Sequence, residues 1–273
     1  MTKPKTHILA QIFFVIFAFS ILFTLYYLVS NSFKTNSEWA KDQFGLPHTL
    51  AMENFTTVWK DGGIGRAFLN TTFLSTVTVG VTLLFASLAG YSLAIMRFRW
   101  SKILLFMFIA MMYISPMSLI IPLFIQMVSL HGVDNLYSMV VIYSGLNICF
   151  AIFLLTTYFK AVPKSIIDAA RIDGCGDVRM LFGIVIPISK AGFLILALLT
   201  FFQVWSDLLF GLIFLRSEKN WTLMVAIGQY EGRYIANITQ VMAILLIAMI
   251  PLIVLYLFTQ KYFIRGVISG SFR

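Results

Sequence analysis

Six apolar runs, each long enough to cross a lipid bilayer, leave this chain few ways to fold. They fall at about 8–30, 67–95, 103–127, 138–158, 191–213 and 239–260. In hydrocarbon every backbone N–H and C=O must be paired within its own segment, so runs of this length are helices. At about 1.5 Å per residue, each spans a hydrocarbon core of about 30 Å. Only 11% of the 273 residues are charged and 60% are hydrophobic, whereas an average soluble domain has roughly 25% charged residues. The fold class is therefore an all-α membrane protein with six transmembrane helices. The first run is of span length, longer than the roughly 7–15 residues of a signal-peptide core, and is expected to stay as a membrane helix.

Six is even, so both termini share one side of the membrane, and the Lys/Arg bias selects it. One side carries Lys3, Lys5, Arg97, Arg99, Lys102, Lys160, Lys164, Arg171, Arg179, Lys190, Lys261, Arg265 and Arg273, against only Asp168, Asp173 and Asp177. The other side balances seven basic residues with seven acidic ones. Both termini are thus cytoplasmic, and the net charge of +9 records orientation, not a nucleic-acid surface. The reading divides the chain into an N-terminus with the first span (1–30), an extracytoplasmic segment (31–66), a core of five spans (67–262) holding a cytoplasmic loop (160–190), and a tail (263–273). Cys149 lies in an apolar run and Cys175 in the cytoplasmic loop, so no disulfide is expected. His7, His48 and His131 are too dispersed for a zinc-type site. No stretch fits GxxxxGK[ST], the phosphate-cradling loop of one large class of ATPases.

Several polar or helix-bending residues interrupt the spans. Pro116 and Pro122 in the third and Pro251 in the sixth each remove a helix hydrogen bond and bend the span. Asp207 is the one acid expected inside a span, in the outer half of the fifth beside Gln203 and Trp205, where a neighbouring helix or solvent would satisfy it. Trp221, Tyr230 and Tyr234 follow in the last external segment. Aromatic rings with polar tips suit both a sugar face and the membrane interface.

The longest polar interruption in the second half runs from Pro163 to Pro187. Ser165 reads as an N-cap, with Asp168 three residues on completing a capping box. Gly174 reads as the end of that helix. Asp177 reads as the cap of a second helix whose apolar face is Met180, Leu181, Ile184 and Val185. Asp168, Asp173 and Asp177 raise the alternative of a Mg²⁺-dependent membrane transferase. Offsets of five and nine, however, do not stack on one helix face.

The spacing Asp168-Ala169-Ala170, three residues, Gly174, nine residues, Ile184-Val185-Ile186-Pro187 resembles the EAA loop of bacterial ABC-importer permeases. It departs from that pattern by Asp for Glu at 168 and Ile for Leu at 186. NSFKTNSEW after the first span, PHTLAMENFTTVW before the second, AGYSLAIMRFRW leaving it, the Trp205-Ser206-Asp207 step and the tail FIRGVISGSFR are similar to the carbohydrate, maltose-type subgroup. The resemblance implies a type I importer permease fold in the bacterial inner membrane and a non-catalytic role in importing a sugar or oligosaccharide. It implies as partners a second homologous permease, two ATPase subunits that use ATP and Mg²⁺, and an extracytoplasmic solute-binding protein. The chain itself is expected to bind no cofactor or metal. The residues implied in ATPase coupling are Asp168, Ala169, Ala170, Gly174, Ile184 and Pro187. Gln203, Trp205, Asp207, Trp221 and Tyr230 are candidates for the translocation path or for contact with the binding protein. An ion-coupled secondary transporter is the alternative from another class; it would use ionisable groups near mid-membrane, where only Asp207 comes close.

Overall fold

A computed structural model describes residues 5–60, 62–96, 98–233 and 237–270. Lys3, Arg97, Tyr234 and Arg273 lie outside the described residues, as do the side chains of Lys5, Lys261 and Arg265. The described residues form helices and loops with no strand. They divide into two compact units, Met1–Arg66 with Ala226–Pro251, and Ala67–Val225 with Leu252–Arg273.

In the first unit, α1 (Lys5–Ser32) supplies the first span, Ala10–Ser32. The chain then turns back on itself. α2 (Asn36–Lys41) is capped by Thr35, whose hydroxyl accepts from the Glu38 N–H, and α3 (Glu53–Lys60) follows. Buried Asn54 donates to the Ser32 and Lys34 carbonyls at 2.9 and 2.8 Å, satisfying carbonyls left open where α1 ends. Lys34 is itself buried and donates to the Asp42 carbonyl at 2.9 Å. Asn36 accepts from the Thr239 hydroxyl at 3.0 Å, which ties this external segment to the start of the last span.

The second unit carries most of the remaining spans. α4 (Ile64–Tyr91) continues through one π-helical turn, Ser92–Met96, as a single apolar stretch. The expected third span is not one helix. α5 (Ser101–Met111) ends, a 3-10 turn forms at Pro116–Leu119, and α6 (Ile120–Ser129) leaves with the pair bent by 86°. Proline accounts for the break. The Pro116 ring would clash with the Met112 carbonyl in a continuous helix, and Ser115 takes the extended conformation that a following proline demands (φ −64°, ψ 129°). Pro122 falls in the first turn of α6, where a missing N–H costs little. α7 (Leu136–Lys160) is uninterrupted and starts on Asn135, whose side chain accepts from the Tyr137 N–H.

The loop after α7 contains α8 (Lys164–Ile172), then a continuous helix made of α9 (Asp177–Met180), a π-helical turn Leu181–Val185 and α10 (Ile186–Ile188). This second helix meets α11 (Lys190–Trp205) at 84°. Gly192 in α11 permits a close approach to α7, because a Cβ there would lie 2.3 Å from the Tyr158 ring. The expected fifth span over 191–213 is also interrupted. It stops at Trp205 and restarts as α12 (Leu209–Phe214). Asp207 explains this: its carboxylate accepts the Gly211 N–H at 3.2 Å and so competes with the helical backbone. α13 (Leu223–Arg233) and α14 (Ile238–Gly270) complete the chain, and α14 runs through Pro251 without ending. Four uninterrupted stretches are thus long and apolar enough to cross a membrane, and counting each bent pair as one span gives six. The second unit packs around two apolar clusters. One joins the cytoplasmic ends of α4 and α7 to α8, the π-helical turn and α11. The other joins α6, α7 and α12 towards the outside.

Candidate functional site

The Pro163–Pro187 stretch folds as two helices around a tight turn, and the chemistry of the turn is local. Gly174 has φ +75°, in the left-handed region that favours glycine. The Cys175 N–H donates to the Ala170 carbonyl at 2.9 Å and the Gly174 N–H to the Arg171 carbonyl at 3.1 Å. Together these form a Schellman motif that closes α8. The helix starts are not as expected. α8 begins at Lys164 after Pro163, so Ser165 lies inside it and makes no cap. Proline in the flanking position presets the entry backbone and displaces the capping box. Asp177 is the first residue of α9, not its cap. Its carboxylate accepts from the Tyr91 hydroxyl at 2.7 Å, and Tyr91 is a buried residue at the end of α4.

α8 presents three faces. Ile167 and Ala170 are buried in the cluster shared with α4 and α7. Ile166, Ala169 and Ile172, spaced three apart, are exposed, and Ile172 is 86% accessible. Lys164, Asp168 and Arg171 line a cavity of about 310 Å³. The two alanines therefore part company, Ala170 inward and Ala169 outward. Ile184 is half-buried and packs on the same cluster, while Pro187 is exposed. Asp168 and Asp173 are exposed, Asp177 is engaged by Tyr91, and among the described residues no three His, Cys, Asp or Glu side chains gather as a metal site requires.

A second constellation forms where the two broken spans meet. A cavity of about 250 Å³ is lined by Ser115 and Pro116 from the break before α6, Tyr143 from α7, and Gln203, Asp207 and Phe210 from the break after α11. Tyr143 is 2% exposed and donates its hydroxyl to Asp207 Oδ2 at 2.7 Å. The same oxygen receives the Gly211 N–H, and Oδ1 takes no hydrogen bond among the described residues. Gln203 is exposed beside it. Tyr143 and Ser115 escape sequence reasoning. Tyr143 lies 64 residues from the acid it serves, and its only signal is a phenol in an apolar run one turn before Asn147.

The remaining aromatic candidates do not line this cavity. Trp205 is buried, stacked on Phe201 at 5.2 Å and edge-on to Phe68 at 5.5 Å. The half-buried Trp221 packs on the outer apolar cluster, and its carbonyl accepts from Asn70 at 3.0 Å. Tyr230 belongs to the other unit, where it is buried and donates to Gln240.

A multi-pass helical body with a paired-helix loop on the cytoplasmic side is an architecture that suits a permease. Residues 83–269 match the family described as the binding-protein-dependent transport system inner membrane component, and the chain belongs to that family. It is 31% identical to the melibiose/raffinose/stachyose import permease protein MelC of Bacillus subtilis, over 90% of this chain and 89% of that protein. It is 30% identical to the arabinooligosaccharides transport system permease protein AraQ of Halalkalibacterium halodurans, over 99% of this chain and 98% of that one. A chain from the crystal structure of a bacterial ABC transporter that imports the acidic polysaccharide alginate superposes with a TM-score of 0.84 at 25% identity, covering 96% of this chain and 99% of its own. The protein is a non-catalytic, multi-pass permease subunit of an ABC importer in the cytoplasmic membrane, working with an ATPase and a binding protein.

Proposed function

We propose that the chain forms one half of a sugar or oligosaccharide pathway, pairing with a second homologous permease and resting on two ATPase subunits. Solute is delivered by an extracytoplasmic binding protein. Support for the cargo comes from the relatives, whose names specify import of melibiose, raffinose, stachyose and arabinooligosaccharides. ATP and Mg²⁺ are used by the ATPase, and this chain binds neither.

The observation that carries the coupling role is α8, anchored by Ile167 and Ala170 in the core shared with α4 and α7 while Ile166, Ala169 and Ile172 face outward. An apolar face of this kind fits a cleft on the ATPase. Closure of the ATPase dimer then drags α8, and the buried face passes the displacement to the spans as a rigid-body movement. Asp168 stands at the edge of the docking face, Gly174 sets the angle to the second helix, and Ile184 and Pro187 continue the seat. Gln203 and Asp207 face the solute, Trp205 and Trp221 support the wall behind them, and Tyr230 holds the start of α14 through Gln240. Uptake measured with ATP depleted and the ion gradient intact tests the reading. Transport should stop, and the chain should co-purify in detergent with an ATPase subunit; transport driven by the gradient alone would favour an ion-coupled carrier using Asp207.

A further inference from the structure

The third face of α8 looks into a cavity of about 310 Å³ bounded by the cytoplasmic ends of two spans. Its apolar floor includes Ile95, from the last turn of the Ile64–Met96 stretch, with Phe159 and Val162 from the end of α7 and the step beyond it. Lys160, Lys164 and Arg171 stand around it with one acid, Asp168. All three cations are exposed, and among the described residues none uses its side chain in an ion pair or hydrogen bond. Lys160 is the final residue of its span, so the cavity opens at the level where hydrocarbon gives way to headgroups.

We propose that this cavity binds the phosphate headgroup of an anionic phospholipid from the inner leaflet. Three cations against one acid supply the charge complement, and the apolar floor receives the first carbons of the acyl chains. Basic pockets between spans on the cytoplasmic side hold such headgroups, and each Lys or Arg near the surface strengthens the attraction. The site is separate from the ATPase-docking face because Lys164, Ile167 and Arg171 lie on one side of α8 and Ile166, Ala169 and Ile172 on the other, with Asp168 at the boundary. Bound lipid would brace α8 against the ends of α4 and α7, the joint through which coupling passes.

The intact transporter, purified from nanodiscs containing phosphatidylcholine and phosphatidylglycerol, provides the test. Lipid that survives detergent washing is counted by native mass spectrometry. The wild type should retain phosphatidylglycerol in preference to phosphatidylcholine, and each of Lys160→Gln, Lys164→Gln and Arg171→Gln should lower that retention about fivefold. Arg99→Gln with Lys102→Gln, cations of the same side outside the cavity, should leave it unchanged. Equal retention by wild type and the triple variant would overturn the proposal. So would displacement of the lipid by inorganic phosphate but not by chloride at the same ionic strength, which would assign the site to free phosphate. Loss of the ATPase from the triple variant with lipid retention intact would assign these cations to the ATPase. Should the triple variant fail to insert, photo-crosslinking of a diazirine-bearing phosphatidylglycerol to Phe159 or Val162 in the wild type decides, and labelling confined to outer-leaflet residues would refute the site.

Discussion

The cytoplasmic loop and the outer cavity belong to the same unit and are built on opposite principles. The loop is made by near neighbours: Gly174, Cys175, Ala170 and Arg171 close α8 within six residues. The outer cavity is made by strangers. Ser115, Tyr143 and Asp207 meet only because two spans break at one place. The coupling role proposed for the loop needs a fixed shape on a short lever. The solute-facing role proposed for the cavity needs polar groups inside an apolar body, and the two interrupted helices help to supply them where freed backbone lines a cavity.

The largest effect is expected at the loop. Gly174→Asp places a β-carbon at φ +75°, where a non-glycine residue costs roughly 1–2 kcal/mol, and projects a charge outward. A Cβ there meets nothing within 4 Å, so the chain should still fold and insert. Uptake and co-purification with the ATPase should both be lost, while Gly174→Ala, with the strain but no charge, should keep part of each. Wild-type uptake by Gly174→Asp would show that the turn does not carry the coupling.

Asp207→Ala comes next. It strands the buried Tyr143 hydroxyl and removes the acceptor at the start of α12, together about 2–4 kcal/mol. The melting temperature of the purified transporter should fall, and Asp207→Asn, which keeps an acceptor oxygen, should recover most of it. Unchanged stability in the alanine variant would mean that the cavity is not organised by this acid. Tyr143→Phe should cost less, about 1–2 kcal/mol, because the half-buried carboxylate left behind can still be hydrated. A double-mutant cycle of Tyr143→Phe with Asp207→Asn isolates the pair. Additive effects would deny the coupling across the two spans.

The same contrast explains what could be read from the sequence. The apolar runs give the spans because hydrocarbon forbids unpaired backbone, and Gly174 gives the end of α8 because it records local turn chemistry. Where the reading missed, tertiary structure or proline intervened. Ser165 fits a capping box, but Pro163 starts the helix earlier. Asp177 fits a cap, but a phenol from α4, 86 residues away, takes its carboxylate. The third and fifth spans read as single apolar runs because hydropathy is blind to a break whose flanks are both apolar. Pro116 implies a bend, yet it states neither an angle of 86° nor a cavity shared with Asp207.

The smallest effect bears on how the outer region is held. Asp134, at φ 62° between α6 and α7, accepts from the Arg216 and Ser217 N–H groups, each at 3.0 Å, and from the Ser217 hydroxyl. It thereby anchors the segment leaving α12, the helix whose first residues line the cavity, to the start of α7. Burial pushes its carboxyl up, but the hydrogen bonds from Ser217, Asn220 and Arg216 prevail and hold it below the usual carboxylate value. A depressed folded value means that this stabilisation is fully present above the unfolded value of about 3.9 and is lost as pH falls through the folded one. The protection of the Arg216 and Ser217 amides, taken relative to the intrinsic exchange rate at each pH, should therefore be high at neutral pH and fall as the pH drops below about 4. Asp134→Asn should exchange faster at neutral pH and lose the acid-dependent step. The amides of Gly174 and Cys175, closed by backbone carbonyls alone, should show no step that tracks Asp134. A common acid transition at both sites, surviving in Asp134→Asn, would mean that loop and cavity open together and that the division drawn between them does not hold.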